Sequence, residues 1–168
     1  PAVTPPVTAA IGANKLAGVQ QIWQENFAVG VENLAATQTA GFRKTASNDL
    51  GTVAAAATAT SANVAFDAAT AADNTANSIK LAVNGAKLNT INVDGTIAKA
   101  AGATATSPAA KLVLNADVDA GAEAVTINTA VKTDLVITET GTAKDVVTLD
   151  ASGSTGGIAV GTLATSFD

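Results

Sequence analysis

The sequence predicts an all-β chain, with short strands in an elongated, β-solenoid-like stack. An antiparallel, Ig-like β-sandwich is the alternative. Three observations lead there. Apolar and polar residues alternate in short bursts, the period of a strand with one buried face. From residue 112 the bursts begin about every 10 to 13 residues, a spacing that suits a sandwich, a barrel or a solenoid. Turn-forming residues separate the bursts, and from residue 79 onward no stretch repeats at the helical period. The solenoid is preferred because the strands follow one another without hairpin-tight two-residue turns.

The elements follow in order. "PAVTPPVTAA" carries three prolines within its first six residues. Proline lacks an N–H and fixes φ, so residues 1–12 read as an extended arm or linker, with Pro5 and Pro6 placed to reach a neighbour. Residues 13–168 read as one β-rich body, with a sub-boundary near 73–78. "FAVGVEN" puts Phe27, Val29 and Val31 on one face of a strand, although "GVQQIWQEN" before it also admits a helical start. The alanine-rich "VAAAATATSANVAFDAATAADNTA" leaves helix and strand open, because alanine favours helix while Thr, Ser and Asn interrupt it. Within it, Val64 and Phe66 alternate.

Beyond that the pattern is clearer. Ile79, Leu81 and Val83 form one inward set, Ile91 and Val93 the next, then Leu112 and Leu114. Val125 and Ile127, Leu135 and Ile137, Val147 and Leu149, and Ile158 and Val160 continue it. "NG" at 84–85, "DG" at 94–95, "DAG" at 119–121, "ETG" at 139–141 and "SGSTGG" at 152–157 are read as the turns between them.

Composition narrows function. The chain has 40 alanines and 24 threonines but no His, Cys, Met or Tyr. Without Cys there are no disulfides, Cys-ligated metals or thiol catalysis. Without His the commonest general base and transition-metal ligand are gone. A net charge of −5 argues against nucleic acid, which requires a basic patch. The longest apolar run, "VAAAA", is far too short for a membrane span. The chain opens at Pro1 with neither Met nor a charged-then-apolar leader, and is read as a processed product or an excised piece.

"KLNTINVDGT", "AAKLVLNAD", "AEAVTINTAV", "KTDLVITETG" and "AKDVVTLDASGSTGGIAV" together resemble the β-rich body of bacterial surface-layer (S-layer) proteins. The similarity is to the Caulobacter-type proteins and related type I secreted surface proteins, in which a corner like "TLDASGSTGGIAV" recurs. It covers residues 79–168 well and 19–78 loosely. The resemblance implies a secreted, self-assembling lattice protein at the bacterial cell surface, with calcium organising folding and assembly. The Gly-Gly-x-Gly-x-Asp calcium nonapeptide of that family is missing, since "GGIAVG" lacks the Asp.

Each candidate site competes with a plainer explanation. "GSTGG" lacks the Lys of a phosphate loop, and Ala151 breaks the nucleophile-elbow pattern, so it reads as a corner held by Asp150 and Ser152. Asn115, Asp117, Asp119 and Glu123 lie two or four apart around Gly121 and are the candidate calcium ligands. Ala120 and Thr126 stand where an EF-hand requires Gly and Glu, so a solvated acidic turn is the plain alternative. Trp23 and Phe27 are candidate assembly or sugar-stacking residues, or simply core. Arg43 and Lys44 do not make a basic patch. The threonines fit a sheet face turned to water, and also O-glycan attachment.

The expected function is therefore structural: a self-assembling subunit or segment of an extracellular surface layer or surface fibre. Its partners would be copies of itself and cell-surface polysaccharide. No cofactor is required, calcium being a candidate ligand only, and no enzymatic activity is expected. The alternative is a repeat module of a large secreted adhesin that binds a glycan or host surface.

Overall fold

The computed structural model describes residues 9–118, 125–131, 134–139 and 146–160. In chain order the strands are β1 (Ile11–Gly12), β2 (Gln21–Glu25), β3 (Val31–Leu34), β4 (Thr39–Arg43), β5 (Asp49–Ala55) and β6 (Ser61–Thr70). β7 (Ser78–Gly85), β8 (Thr90–Ala98) and β9 (Lys111–Val118) follow. β10 (Val125–Val131), β11 (Asp134–Glu139), β12 (Val146–Asp150) and β13 (Ile158–Val160) complete the set. A single 3-10 turn, Ala13–Lys15, is the only helical element among the described residues.

Odd-numbered strands form one sheet in the order β1-β3-β5-β7-β9-β11-β13, and even-numbered strands form the other, β12-β10-β8-β6-β4-β2. Every strand pair is parallel. The chain thus crosses from one sheet to the other at each corner and advances one strand per passage, consistent with solenoid-like stacking. The sheets do not close. At about 4.8 Å per strand, the six intervals of the larger sheet span roughly 29 Å. The antiparallel sandwich expected as the alternative does not form: the long corners allow each strand to return beside the one two before it, in the same direction.

Register explains the core. Parallel pairing places each inward side chain over its counterpart in the next coil. One odd-sheet row runs Val31↔Val53↔Val83↔Ala116 and another pairs Ile79↔Leu112, with the backbone register continuing through residue 135 to Ile158. In the even sheet, Ala40↔Val64↔Val93 and Ala62↔Ile91 do the same, and the backbone register of the second continues through residue 127 to Leu149. Phe42 sits over Phe66 with ring centroids 5.9 Å apart. Between residues 61 and 114 the expected inward residues Val64, Phe66, Ile79, Leu81, Val83, Ile91, Val93, Leu112 and Leu114 are all buried. Leu149 and Ile158 pack partly buried against this core. The alanine-rich stretch holds the end of β5 and the whole of β6 rather than a helix, and Ala59, Ala62, Ala69 and Ala71 are buried in it.

Two expectations fail. Phe27, Val29 and Val31 do not share a strand. Residues 27–30 are the corner between β2 and β3, and Phe27 is 50% exposed. The inward residues of β2 are instead Ile22 and Gln24. Asp94-Gly95 is not a turn but a bulge inside β8. Gly95 has φ 109° and its partner strand shifts register between Phe66 and Ala69, where Ala68 has φ 53°. Any Cβ at Gly95 would run into the Phe66 carbonyl. "SGSTGG" does form the β12–β13 corner, with Ser152 N–H donating to Asp150 Oδ1 at 2.9 Å. The "DAG" turn and most of "ETG" lie outside the described residues.

Ile11–Gly12, within the stretch expected to be an arm, pair with Val31 and Glu32. The ladders β5–β7 and β6–β8 run on either side of residues 71–77.

Among the described residues four polar ones are buried, Gln24, Gln38, Thr45 and Asn77, and all of them fasten corners. Gln24 Oε1 accepts from Val29 N–H at 2.7 Å. Gln38 Oε1 accepts from Ala35 N–H, while its Nε2 donates to the Val19 and Ala13 carbonyls. The Thr45 hydroxyl lies 3.1 Å from the Phe27 carbonyl. Asn77 Nδ2 donates to the Asn74 and Pro108 carbonyls, and its Oδ1 accepts from Ala100 N–H. Corners turn the backbone out of the ladders, and these amides satisfy groups that would otherwise be buried without partners.

Candidate functional site

The outward face of the even sheet carries a trough of about 660 Å³. It arises from three rows of outward residues that register aligns across the strands. The central row is Trp23↔Gly41↔Ala65↔Asp94. Ala65 is the open floor of this row, with Trp23, laid over Gly41, at one end and Asp94 at the other. One flank is Gln21↔Thr39↔Asn63↔Asn92, and the backbone register continues through residue 128 to Asp150. The row on the other side of the centre, Glu25↔Arg43↔Asp67, borders the trough without lining it.

Trp23 forms the first wall. Its indole lies across Gly41, where any Cβ would collide with the ring, so glycine at 41 is what lets the ring lie down. The Arg43 guanidinium sits 4.6 Å from the ring centroid, a cation–π contact. Arg43 Nε in turn donates to Asp67 Oδ2 at 2.8 Å. Trp23 Nε1 donates to Gln21 Oε1 at 3.0 Å. The indole is thus fixed by three neighbours rather than free to rotate.

The amide flank is cross-linked. Asn92 Nδ2 donates to Asn63 Oδ1 at 2.7 Å, and Asn63 Nδ2 donates to the Gln38 and Ala36 carbonyls. At the far end Asp94 Oδ1 accepts from Gly95 N–H, and Asp150 Oδ1 from Ser152 N–H. The Ser152 hydroxyl and N–H hold the Asp150 carboxyl below its ordinary value of 3.8, so it is ionised at neutral pH. Thr75 does the same for Asp73 at the corner after β6.

The outer face of the odd sheet differs. A smaller recess there is lined by Asp49, Thr52, Lys80 and Asn115, with no aromatic residue.

Of the residues singled out from sequence, Trp23 is in the trough and Phe27 is not, being at the β2–β3 corner. Asn115 lies on the outer face of β9, and Asp117 near that strand's end, in register with Asn84. Asp119 and Glu123 lie outside the described residues, as do Pro5 and Pro6. Among the described residues no three His, Cys, Asp or Glu side chains group as metal ligands. No described helix is long and apolar enough to cross a membrane. Asn63, Asn92 and Gly41 were not singled out from sequence. Only register, which brings residues about 20 to 30 positions apart side by side, reveals them.

The chain matches no family model, no curated protein and no solved structure.

Proposed function

We propose that the chain is a structural, self-assembling subunit or segment of an extracellular bacterial surface layer or surface fibre. Its two sheets would be the walls of an elongated β-solenoid. The supporting observation is the pair of open ends. Within the described residues β1 and β2 each pair on one side only, as do β12 and β13 at the other end. An unpaired edge is a template for another strand. Because all strands are parallel, the last coil of one copy and the first coil of the next offer complementary edges that would extend both sheets. Such a head-to-tail contact is heterologous and produces filaments rather than closed dimers. The Pro-rich residues 1–10 would assist by laying an extended segment on a neighbour. Calcium, through Asn115, Asp117, Asp119 and Glu123, would order these contacts. The absence of His and Cys from the sequence favours scaffold over catalyst.

Electron microscopy of the purified chain, with and without calcium, tests this. Regular sheets or filaments are expected, and deletion of residues 1–10 should impair them while preserving the β spectrum by circular dichroism. A chain that sediments as a monomer at high concentration in both conditions would refute the proposal.

A second reading, a repeat module of a secreted adhesin, is favoured by the trough itself.

A further inference from the structure

We propose that the trough on the even sheet binds an uncharged pyranosyl oligosaccharide lying along the stacking direction, between Trp23 and Asp94. The inference is independent of self-assembly: it concerns a sheet face, not a sheet edge.

Four features select the ligand. First, the trough is an open channel rather than a closed pocket, and from β2 to β8 its three strand intervals run about 14 Å, room for a few sugar rings in a row. Its volume of about 660 Å³ lies within the range of small-ligand sites. Second, one wall is an indole already immobilised by Gly41, Arg43 and Gln21, so apolar C–H faces of a sugar can pack against it without a further ordering cost. Third, the flank presents one polar side chain per strand, the amides of Gln21, Asn63 and Asn92 with the Thr39 hydroxyl between the first two. Amides both donate and accept, which suits hydroxyls that do the same. The Asn63–Asn92 bond fixes the orientation of both side chains.

Fourth, charge argues against the alternatives. Asp94 and Asp150 stand at the far end, and the cations beside the trough, Arg43 and Lys44, are paired with Asp67 and Glu25. Anionic polymers would meet net repulsion, whereas carboxylates are good acceptors for sugar hydroxyls. A peptide added as a strand needs backbone partners at an edge, and here the backbone groups beneath the floor are engaged in the parallel ladders.

Trp23 is the chain's only tryptophan, so intrinsic fluorescence reports on this wall alone. Maltohexaose, cellohexaose, mannohexaose and chitohexaose are titrated against the full chain, with a polygalacturonate hexamer as the anionic control. At least one neutral hexamer should change Trp23 emission saturably. Asn92→Ala, checked for an unchanged far-ultraviolet circular dichroism spectrum, should weaken that binding about tenfold, the value of one well-placed hydrogen bond. If Asn92→Ala disturbs the fold, Gln21→Ala at the trough mouth serves instead. The proposal is overturned if no neutral hexamer alters the emission. It is equally overturned if the anionic hexamer binds as well or better, or if calorimetry detects sugar binding that leaves Trp23 emission unchanged.

Discussion

Replacing Asn77 by alanine should cost more than any surface substitution in this chain, and the structure shows why. Asn77 is fully buried, with φ 47°, where the chain leaves the corner after β6 and enters β7. Its amide joins three backbone groups from two corners: the Asn74 carbonyl at 3.1 Å, the Pro108 carbonyl at 3.0 Å and the Ala100 N–H at 2.9 Å. At about 1 kcal/mol net for each bond, the three together contribute about 3 kcal/mol. Alanine in the left-handed region adds about 1 kcal/mol, because its Cβ crowds the carbonyl while asparagine tolerates that conformation. Asn77→Ala should therefore lose about 4 kcal/mol, and Asn77→Gly, which accepts positive φ, about 3 kcal/mol. Urea unfolding followed by circular dichroism measures both, provided the slope is unchanged between variants. A loss below about 1 kcal/mol for the alanine variant would refute the reasoning. A glycine variant as stable as wild type would show that the backbone conformation matters and the amide bonds do not.

Two further outcomes follow from the same geometry. Gly95→Ala should destabilise by about 3 kcal/mol or more in the same urea assay, since it combines a collision with the Phe66 carbonyl and a φ of 109° that L-residues rarely adopt; a neutral effect would mean that the β6–β8 bulge relaxes freely. Asp73 and Asp150 are held below their ordinary value of 3.8 by Thr75 and Ser152 respectively. Each favours the folded chain fully above 3.8 and loses that contribution as pH falls through its lower folded value. Asp73→Asn and Asp150→Asn should thus be less stable than wild type at pH 7, with the gap closing as pH is taken below 3.8. A gap that widens in acid would contradict this.

The strands β7, β8 and β9 were legible because a buried row in a parallel stack is apolar at every second position, and such alternation is local information, whereas alanine left β6 open between helix and strand. The corners were not. Gln24 occupies an inward position that lines up with Phe42 and Phe66 in the next two coils, yet it is an amide. Its role depends on Val29 N–H, which the chain presents only after turning. Without knowledge of that turn, the apolar Phe27, Val29 and Val31 look like the strand. The Asp-Gly at 94–95 misleads for a related reason. The dipeptide supplies an Asx bond and a positive φ, and a bulge uses both as readily as a turn does. The trough was half legible: Trp23 stands out by being alone, but its neighbours Gly41, Asn63 and Asn92 become neighbours only through register.

The corner amides also account for the lack of a fixed sequence repeat. In a stack of this kind register must hold along the ladders, but nothing requires the corners to be equal in length. Gln21↔Thr39 and Asn92↔Asn128 are both single steps along the even sheet, although the second takes far more chain. Many of the extra residues go into the corner 99–110, and the earlier corner 71–77 is built alike: Asn48, Asn77 and Lys99 bind backbone groups there that no ladder satisfies. A long corner costs little loop-closure entropy once its polar groups are partnered. The ladders can therefore keep Asn63 beside Asn92 and Trp23 beside Gly41 while the corners vary. A surface built from aligned rows needs constant register and tolerates variable corners, and that is the division of labour this chain shows.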